Sequence, residues 1–136
     1  MTEAQPSLLT VNEITIAIGN SPIVKDVSFP LHQGEILVIV GESGSGKTTI
    51  LKACAGMLPD AISVTGGSIT FAGHPLIRKE DWRPLRGQDM NYVFQDSLSS
   101  FCPVRSIYDQ LWDAARTAGM KRDEFDKTAA DRAAVL

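Results

Sequence analysis

Gly41-Glu42-Ser43-Gly44-Ser45-Gly46-Lys47-Thr48 decides how the chain is read. The octet satisfies G-x-x-x-x-G-K-[ST] and stands between an apolar run and a helical pattern, the context of a phosphate-binding loop. Its glycines let the backbone turn tightly, so that successive N–H groups from Gly44 to Thr49 converge on one concavity suited to an anion. A helix opening near Lys47 adds the positive end of its dipole and its unpaired N–H groups from the same side. Lys47 then reaches the β- and γ-phosphates, and the Thr48 hydroxyl is placed to ligand a magnesium ion bridging them. The motif therefore implies Mg–ATP or Mg–GTP.

Immediately upstream, Glu35-Ile36-Leu37-Val38-Ile39-Val40 sets a continuous apolar run behind one acid, the pattern of a strand buried on both faces in a parallel sheet. Residues 1–7 form a polar lead-in. Leu8–Val11 and Ile14–Ile18 are expected as two short strands or one bent strand. Gly19-Asn20-Ser21-Pro22 is a turn signal, and Val24–Phe29 alternates until Pro30 stops it, so an antiparallel hairpin precedes the loop.

Downstream, Ile50, Leu51, Cys54, Met57 and Leu58 share one helical face, with Gly56 and Pro59 bracketing the end. Asp60–Gly67 reads as a connection, Ser68–Phe71 as a short strand and Ala72–Pro75 as a turn. His74 in that turn and His32 in a connection are read as solvated, with no catalytic role. Asp81–Arg86 is expected as a short helix with Pro84 in its first turn. Met90–Phe94 is expected as a second core strand, followed by Gln95 and a loop from Ser97 to Pro103. Ser106 caps a helix through Ile107, Leu111, Ala114, Ala115 and Ala118 that ends at Gly119. A last helix begins near Asp123 and meets no stop signal by Leu136, the pattern of a chain cut inside an element.

Composition narrows the classes. At 136 residues the chain suits one domain, burying about two-thirds of its extended surface. A net charge of −3 gives no basic field for nucleic acid or an anionic membrane. Cys54 and Cys102 are the two cysteines and share no metal-like or redox-like spacing, which fits a reduced cytosolic protein. The N-terminus has no secretory pattern, so any membrane association is expected to run through a partner.

With the phosphate loop and Tyr92-Val93-Phe94-Gln95-Asp96-Ser97-Leu98-Ser99-Ser100-Phe101 both in view, the chain resembles the ATP-binding subunits of ABC transporters. It looks most like importers of oligopeptides, dipeptides or nickel, whose loop often reads GESGSGK and whose second motif reads FQDP-x-x-S-L-N-P. The resemblance runs from Leu8 onward. It implies an α/β P-loop NTPase of the ABC type, with an N-terminal antiparallel β subdomain, an incomplete central parallel sheet and the start of a helical subdomain. Residues 1–136 would be the N-terminal part of one such domain, with the β and phosphate-loop core over about 8–95 and the Q-loop and helical beginning over about 96–136.

The same resemblance makes Gln95 the Q-loop glutamine. Such a residue helps ligand magnesium, senses the γ-phosphate and signals to a transmembrane partner, roles that an amide oxygen on a swinging loop can serve. Lys47 and Gln95 are thus the catalytic candidates, Thr48 and Gln95 the metal ligands. Gly41 to Thr49 hold the nucleotide, and Ile18 stands where the family places an adenine-stacking aromatic. An isoleucine covers a base face without π-stacking. Ser97 replaces the usual proline, and Cys102 stands where asparagine is common. Tyr108 and Trp112 are expected in a helical-subdomain core or a partner contact.

The family's LSGGQ signature, its second phosphate-site strand ending in Asp-Glu and its switch histidine do not occur in these residues. Without them, water activation and closure of the site are incomplete, and the chain is expected to bind ATP with Mg2+ but not turn it over. Their absence also leaves the Glu35–Val40 run as an unpaired apolar edge. The resemblance implies a second ABC ATPase subunit and permease subunits as partners, no nucleic acid, and a position on the cytoplasmic face of the membrane. Two alternatives stay open: a small P-loop kinase, for which the Arg78, Arg83 and Arg86 cluster would suit an arginine-rich lid, and a non-catalytic nucleotide-binding module.

Overall fold

In the computed structural model, Ser7–Ile18 forms one long strand, β1, rather than two pieces. Asn12-Glu13 interrupts the apolar alternation, and the chain absorbs the interruption as a bulge: Glu13 takes a φ of 48° and its N–H donates to Ser28 Oγ at 2.7 Å. The structure describes residues 6–96 and 100–133. They fall into two compact units, one up to Arg83 and one from Pro84 onward, each taken by itself below.

β1 pairs antiparallel with β2 (Ser21–His32) through the two-residue turn Gly19-Asn20, where Gly19 supplies a φ of 56°. Pro30 does not stop β2, which continues to His32. The sheet order is β2-β1-β3-β4, so β2 is an edge strand, where a missing N–H costs no ladder bond on the open side. His32 accordingly closes a strand, half-buried with an unpartnered Nδ1, instead of sitting solvated in a connection.

β3 spans Ile62–Phe71, far longer than the expected Ser68–Phe71. Most of the connection expected over Asp60–Gly67 is strand, and Gly66-Gly67 is a bulge opposite the one in β1. At Gly67, φ is 76°, and a Cβ would come within 2.3 Å of Asn12 O, so glycine is demanded by close backbone approach. His74 belongs to the two-residue strand β4 (His74–Pro75), paired with Phe71, and is exposed.

The core lies between this sheet and helix α1 (Lys47–Cys54). Val11, Ile14 and Ile16 are essentially inaccessible, joined by Leu9, Val24 and Ile69 from the sheet and by Ile50, Ala53 and Cys54 from α1. Each of the valines, leucines and isoleucines among them contributes about 1.5–3 kcal/mol on burial. Leu51, assigned to the same helical face, is 47% exposed. A 3-10 helix, Lys79–Trp82, replaces the helix expected over Asp81–Arg86, and Pro84 lies beyond it. The Asp81 carboxylate accepts the N–H groups of Arg78 at 2.7 Å and Ile77 at 2.8 Å, which hold its pKa below the usual carboxylate range. Trp82 is buried, donates to Cys54 O at 2.7 Å and lies where a Cβ on Gly56 would meet its ring at 2.5 Å.

Two expected core strands are absent. Glu35–Val40 has no regular structure, with Ile36, Val38 and Val40 at 89%, 70% and 84% exposure. In the second unit Met90–Phe94 makes one bridge, Met90 to Arg86, and Val93 is 87% exposed. No central parallel sheet forms among the described residues. The reason is physical: a parallel strand has no internal hydrogen bonds, so an apolar run extends only where neighbours supply its ladder.

The second unit is a helix pair. Ser106 caps α2 (Ile107–Thr117) by accepting the Asp109 N–H at 3.1 Å, and Gly119, at φ 85°, follows its end. Tyr108 and Trp112, expected in a helical core or a partner contact, pack on the buried Phe125 of α3 (Arg122–Ala133), with ring centroids 5.2 and 5.4 Å away, while Ile107 and Leu111 are exposed at 58% and 47%. The Arg122 guanidinium covers both rings, 5.0 and 4.8 Å from their centroids.

Gly67 and Gly73 have similar positive φ, 76° and 80°, but a Cβ on Gly73 meets nothing within 4 Å. Urea unfolding is therefore expected to show Gly73→Ala losing about 1–2 kcal/mol from backbone strain alone. Gly67→Ala loses a further ~1–3 kcal/mol from the clash with β1; equal losses would contradict the paired bulge.

Candidate functional site

The segment Gly41–Gly46 leaves the apolar run, turns back on itself and delivers the chain into α1. Ser45 N–H donates to Glu42 O at 3.3 Å to close the turn, and Ile50 N–H donates to Gly46 O at 2.9 Å to start the helix. Gly44 and Gly46 take φ values of 82° and 90°, the left-handed backbone that a tight anion-binding turn uses. Gly46 caps α1 without a side-chain hydrogen bond, and the first turn carries no acidic residue. The donors at this helix end thus have no side-chain competitor, and the dipole is not neutralised.

Lys47 folds back over the loop. Its Nζ donates to Gly41 O at 2.9 Å, to Glu42 O at 2.5 Å and to Ser45 Oγ at 3.4 Å. All three acceptors are uncharged, and among the described residues no salt bridge engages Lys47. Its positive charge is therefore localised over the loop and available to an anion. A Cβ on Gly41 would lie 2.8 Å from Ser45 Oγ, so a larger residue there would turn the Ser45 hydroxyl away from its place beside Lys47 Nζ. Thr48 is exposed at the helix start and Thr49 half-buried behind it. The donor set fits a phosphate chain: convergent N–H groups, a helix N-terminus and one fixed ammonium. For a divalent cation, no group of three His, Cys, Asp or Glu is gathered among the described residues. Thr48, exposed at the helix start, offers a hydroxyl that would suit a hard cation.

The loop also has a neighbour that the sequence did not single out. Val24 on β2 is 5% exposed, and its γ-methyl lies 2.6 Å from where a Cβ on Gly46 would stand. The available signal was Val24 opening the alternating run Val24–Phe29, which promised burial but not a contact with the loop. Ile18 ends β1, opposite Ser21 and Ile62, and is 49% exposed. Gln95 lies in the second unit, exposed in a bend after Phe94. Asp96 O accepts the Ser100 hydroxyl at 3.0 Å, and Ser97 lies outside the described residues. Cys102 is exposed, its backbone N–H donating to Gln110 Oε1 at 2.7 Å.

A glycine-rich loop feeding a helix, with the lysine held over it, defines a P-loop nucleotide-binding protein. The ABC transporter family model matches residues 24–135, and the chain belongs to that family. It is 33% identical over 118 residues to the oligopeptide transport ATP-binding protein AmiE of Streptococcus pneumoniae serotype 4, an alignment covering 82% of this chain and 33% of that protein. It is 34% identical over 127 residues to the metal-staphylopine import system ATP-binding protein CntD of Staphylococcus aureus, covering 90% and 46%. Against the dipeptide transport ATP-binding protein DppD of Bacillus subtilis, identity is 39% over 99 residues, covering 71% and 30%. The chain thus spans less than half the length of each of these relatives. No helix among the described residues is long and apolar enough to cross a membrane.

Cys54, the last residue of α1, reports on the packing behind the loop. Burial pushes its thiol up from 9.0 to about 11. The protonated thiol is favoured in the fold, so its contribution to stability is complete below pH 9.0 and is lost as pH rises towards 11. Timed alkylation at pH 8 with mass detection is expected to label exposed Cys102 first and Cys54 only on unfolding. Equal rates would contradict the packing of α1 on β1.

Proposed function

We propose that the chain is the nucleotide-binding part of an ATP-binding subunit of an ABC-type importer. The observation that supports this most strongly is Lys47, braced by Gly41 O and Glu42 O over an uncapped helix N-terminus. The N–H groups from Gly44 to Thr49 cradle the β-phosphate of ATP, and Lys47 exchanges part of its backbone brace for the β- and γ-phosphate oxygens. The Thr48 hydroxyl would ligand magnesium, whose charge would offset that of the phosphates, and Gln95 keeps the magnesium-ligand role that the family resemblance implies for it. Ile18 covers a face of the adenine by contact. Because the loop is organised before any ligand arrives, little ordering entropy opposes binding.

In the whole protein, Gln95 senses the γ-phosphate and passes the nucleotide state to a permease. A second ATPase subunit completes the site, and both work on the cytoplasmic face of the membrane. The 136 residues carry no LSGGQ segment and no Asp-Glu strand end to activate water. This chain therefore binds Mg–ATP without turning it over, while the whole protein couples hydrolysis to uptake. The cargo class is a peptide or a nickel-like metal complex, in keeping with the oligopeptide, dipeptide and metal-staphylopine named for AmiE, DppD and CntD.

Calorimetric titration with Mg–ATP tests this reading. Lys47→Ala is expected to lower affinity by roughly 10- to 150-fold, the equivalent of ~1.5–3 kcal/mol for charged hydrogen bonds. Gln95→Ala keeps most of the binding. Near-normal affinity after the lysine change would overturn the site.

A further inference from the structure

The turn bond from Ser45 to Glu42, the helix bond from Ile50 to Gly46 and the three bonds of Lys47 all join residues of the loop and its own helix. The run leading into the loop, Glu35–Val40, is irregular and exposed, so it gives the loop no strand to stand on. The burial of Ile50, Ala53 and Cys54 anchors α1 beyond Gly46, and Val24 ties Gly46 itself to the sheet. Its γ-methyl is so close to Gly46 that any Cβ there would overlap it, and Ile23 O lies 3.7 Å from the same point. Val24 is in turn the register partner of Ile16 on β1, which is 0% exposed. Ile16, Val24 and Gly46 form a continuous line from the centre of the core to the residue that aims the helix N-terminus.

We propose that Val24 is a positioning residue for the phosphate loop. By packing on Gly46 it holds that residue at φ 90° and keeps the N–H groups from Gly46 to Thr49 convergent. The role rests on the nucleotide-binding reading above. Donors held to a fraction of an ångström bind a phosphate without reordering, whereas a supporting shell loosened by about 1 Å forfeits that advantage. Val24 touches no ligand in this role and acts through Gly46.

The test is calorimetric Mg–ATP titration of the 136-residue chain, with thermal melts of each variant beside it. Val24→Ala removes both γ carbons and is expected to weaken Mg–ATP binding about tenfold, whereas Val24→Ile keeps both and stays within about twofold of the parent. Val11→Ala is the matched control: equally buried, on the same sheet, with Phe29 and Ile69 as its register partners. It is expected to lower the melting temperature while leaving affinity within about twofold. Should Val24→Ala not fold, Val24→Leu replaces it, keeping apolar volume while moving the branch one carbon outward, with at least about a threefold loss expected. Equal affinity in the Val24 variants, or an equal loss in Val11→Ala, overturns the positioning role and leaves the nucleotide reading intact. A parent chain that binds no Mg–ATP overturns both.

Discussion

The contact between Val24 and Gly46 joins the two halves of the first unit's logic. On one side is an antiparallel sheet whose stability comes from ordinary burial of Val11, Ile14 and Ile16. On the other is a loop whose backbone has little reason of its own to hold positive φ at Gly44 and Gly46. The contact transmits the rigidity of the first to the second. It also explains why the sixth position of the motif must be glycine here: the left-handed conformation and the absent Cβ are needed at once, the first by the turn and the second by the valine. Lys47 closes the arrangement from above by bonding to two carbonyls of its own loop, which fixes its charge where an anion would sit.

Much of the site was legible in the sequence because a phosphate loop is a local object. Its eight residues are consecutive, and the glycine, lysine and threonine positions follow from the reach of a backbone and one side chain. The hairpin, the Ser106 cap and the helix stop at Gly119 were legible for the same reason, since turn and cap chemistry is settled within a few residues. The misreadings are non-local. Asp60–Gly67 reads as a connection because nothing in β3 announces the matching bulge at Asn12-Glu13, and Pro30 resembled a stop because its tolerance depends on β2 lying at an edge. The sequence places Tyr108 and Trp112 in a helical core or a partner contact, but that Phe125 and Arg122 of α3 are what they meet is revealed by no periodicity within α2.

The two apolar runs make the same point more sharply. Glu35–Val40 and Met90–Phe94 have the composition of strands buried on both faces, yet neither has a ladder among the described residues. Hydrophobicity sets what a run gains by being covered, and hydrogen-bond partners decide whether it extends. The relatives are two to three times as long as the aligned part of this chain, and membership of the ABC transporter family follows from residues 24–135 alone. Val24 escaped sequence reading because burial in a strand gives no hint of which neighbour is being supported.

Amide hydrogen exchange, followed with and without Mg–ATP, tests most directly whether Gly41–Thr48 is a working phosphate site. Selective slowing of exchange at Gly44 to Thr49 is expected, with the amides of β1 unchanged because the sheet is already formed before ligand binds. Unaltered exchange at the loop under saturating nucleotide, or slowing spread evenly over the unit, would contradict it.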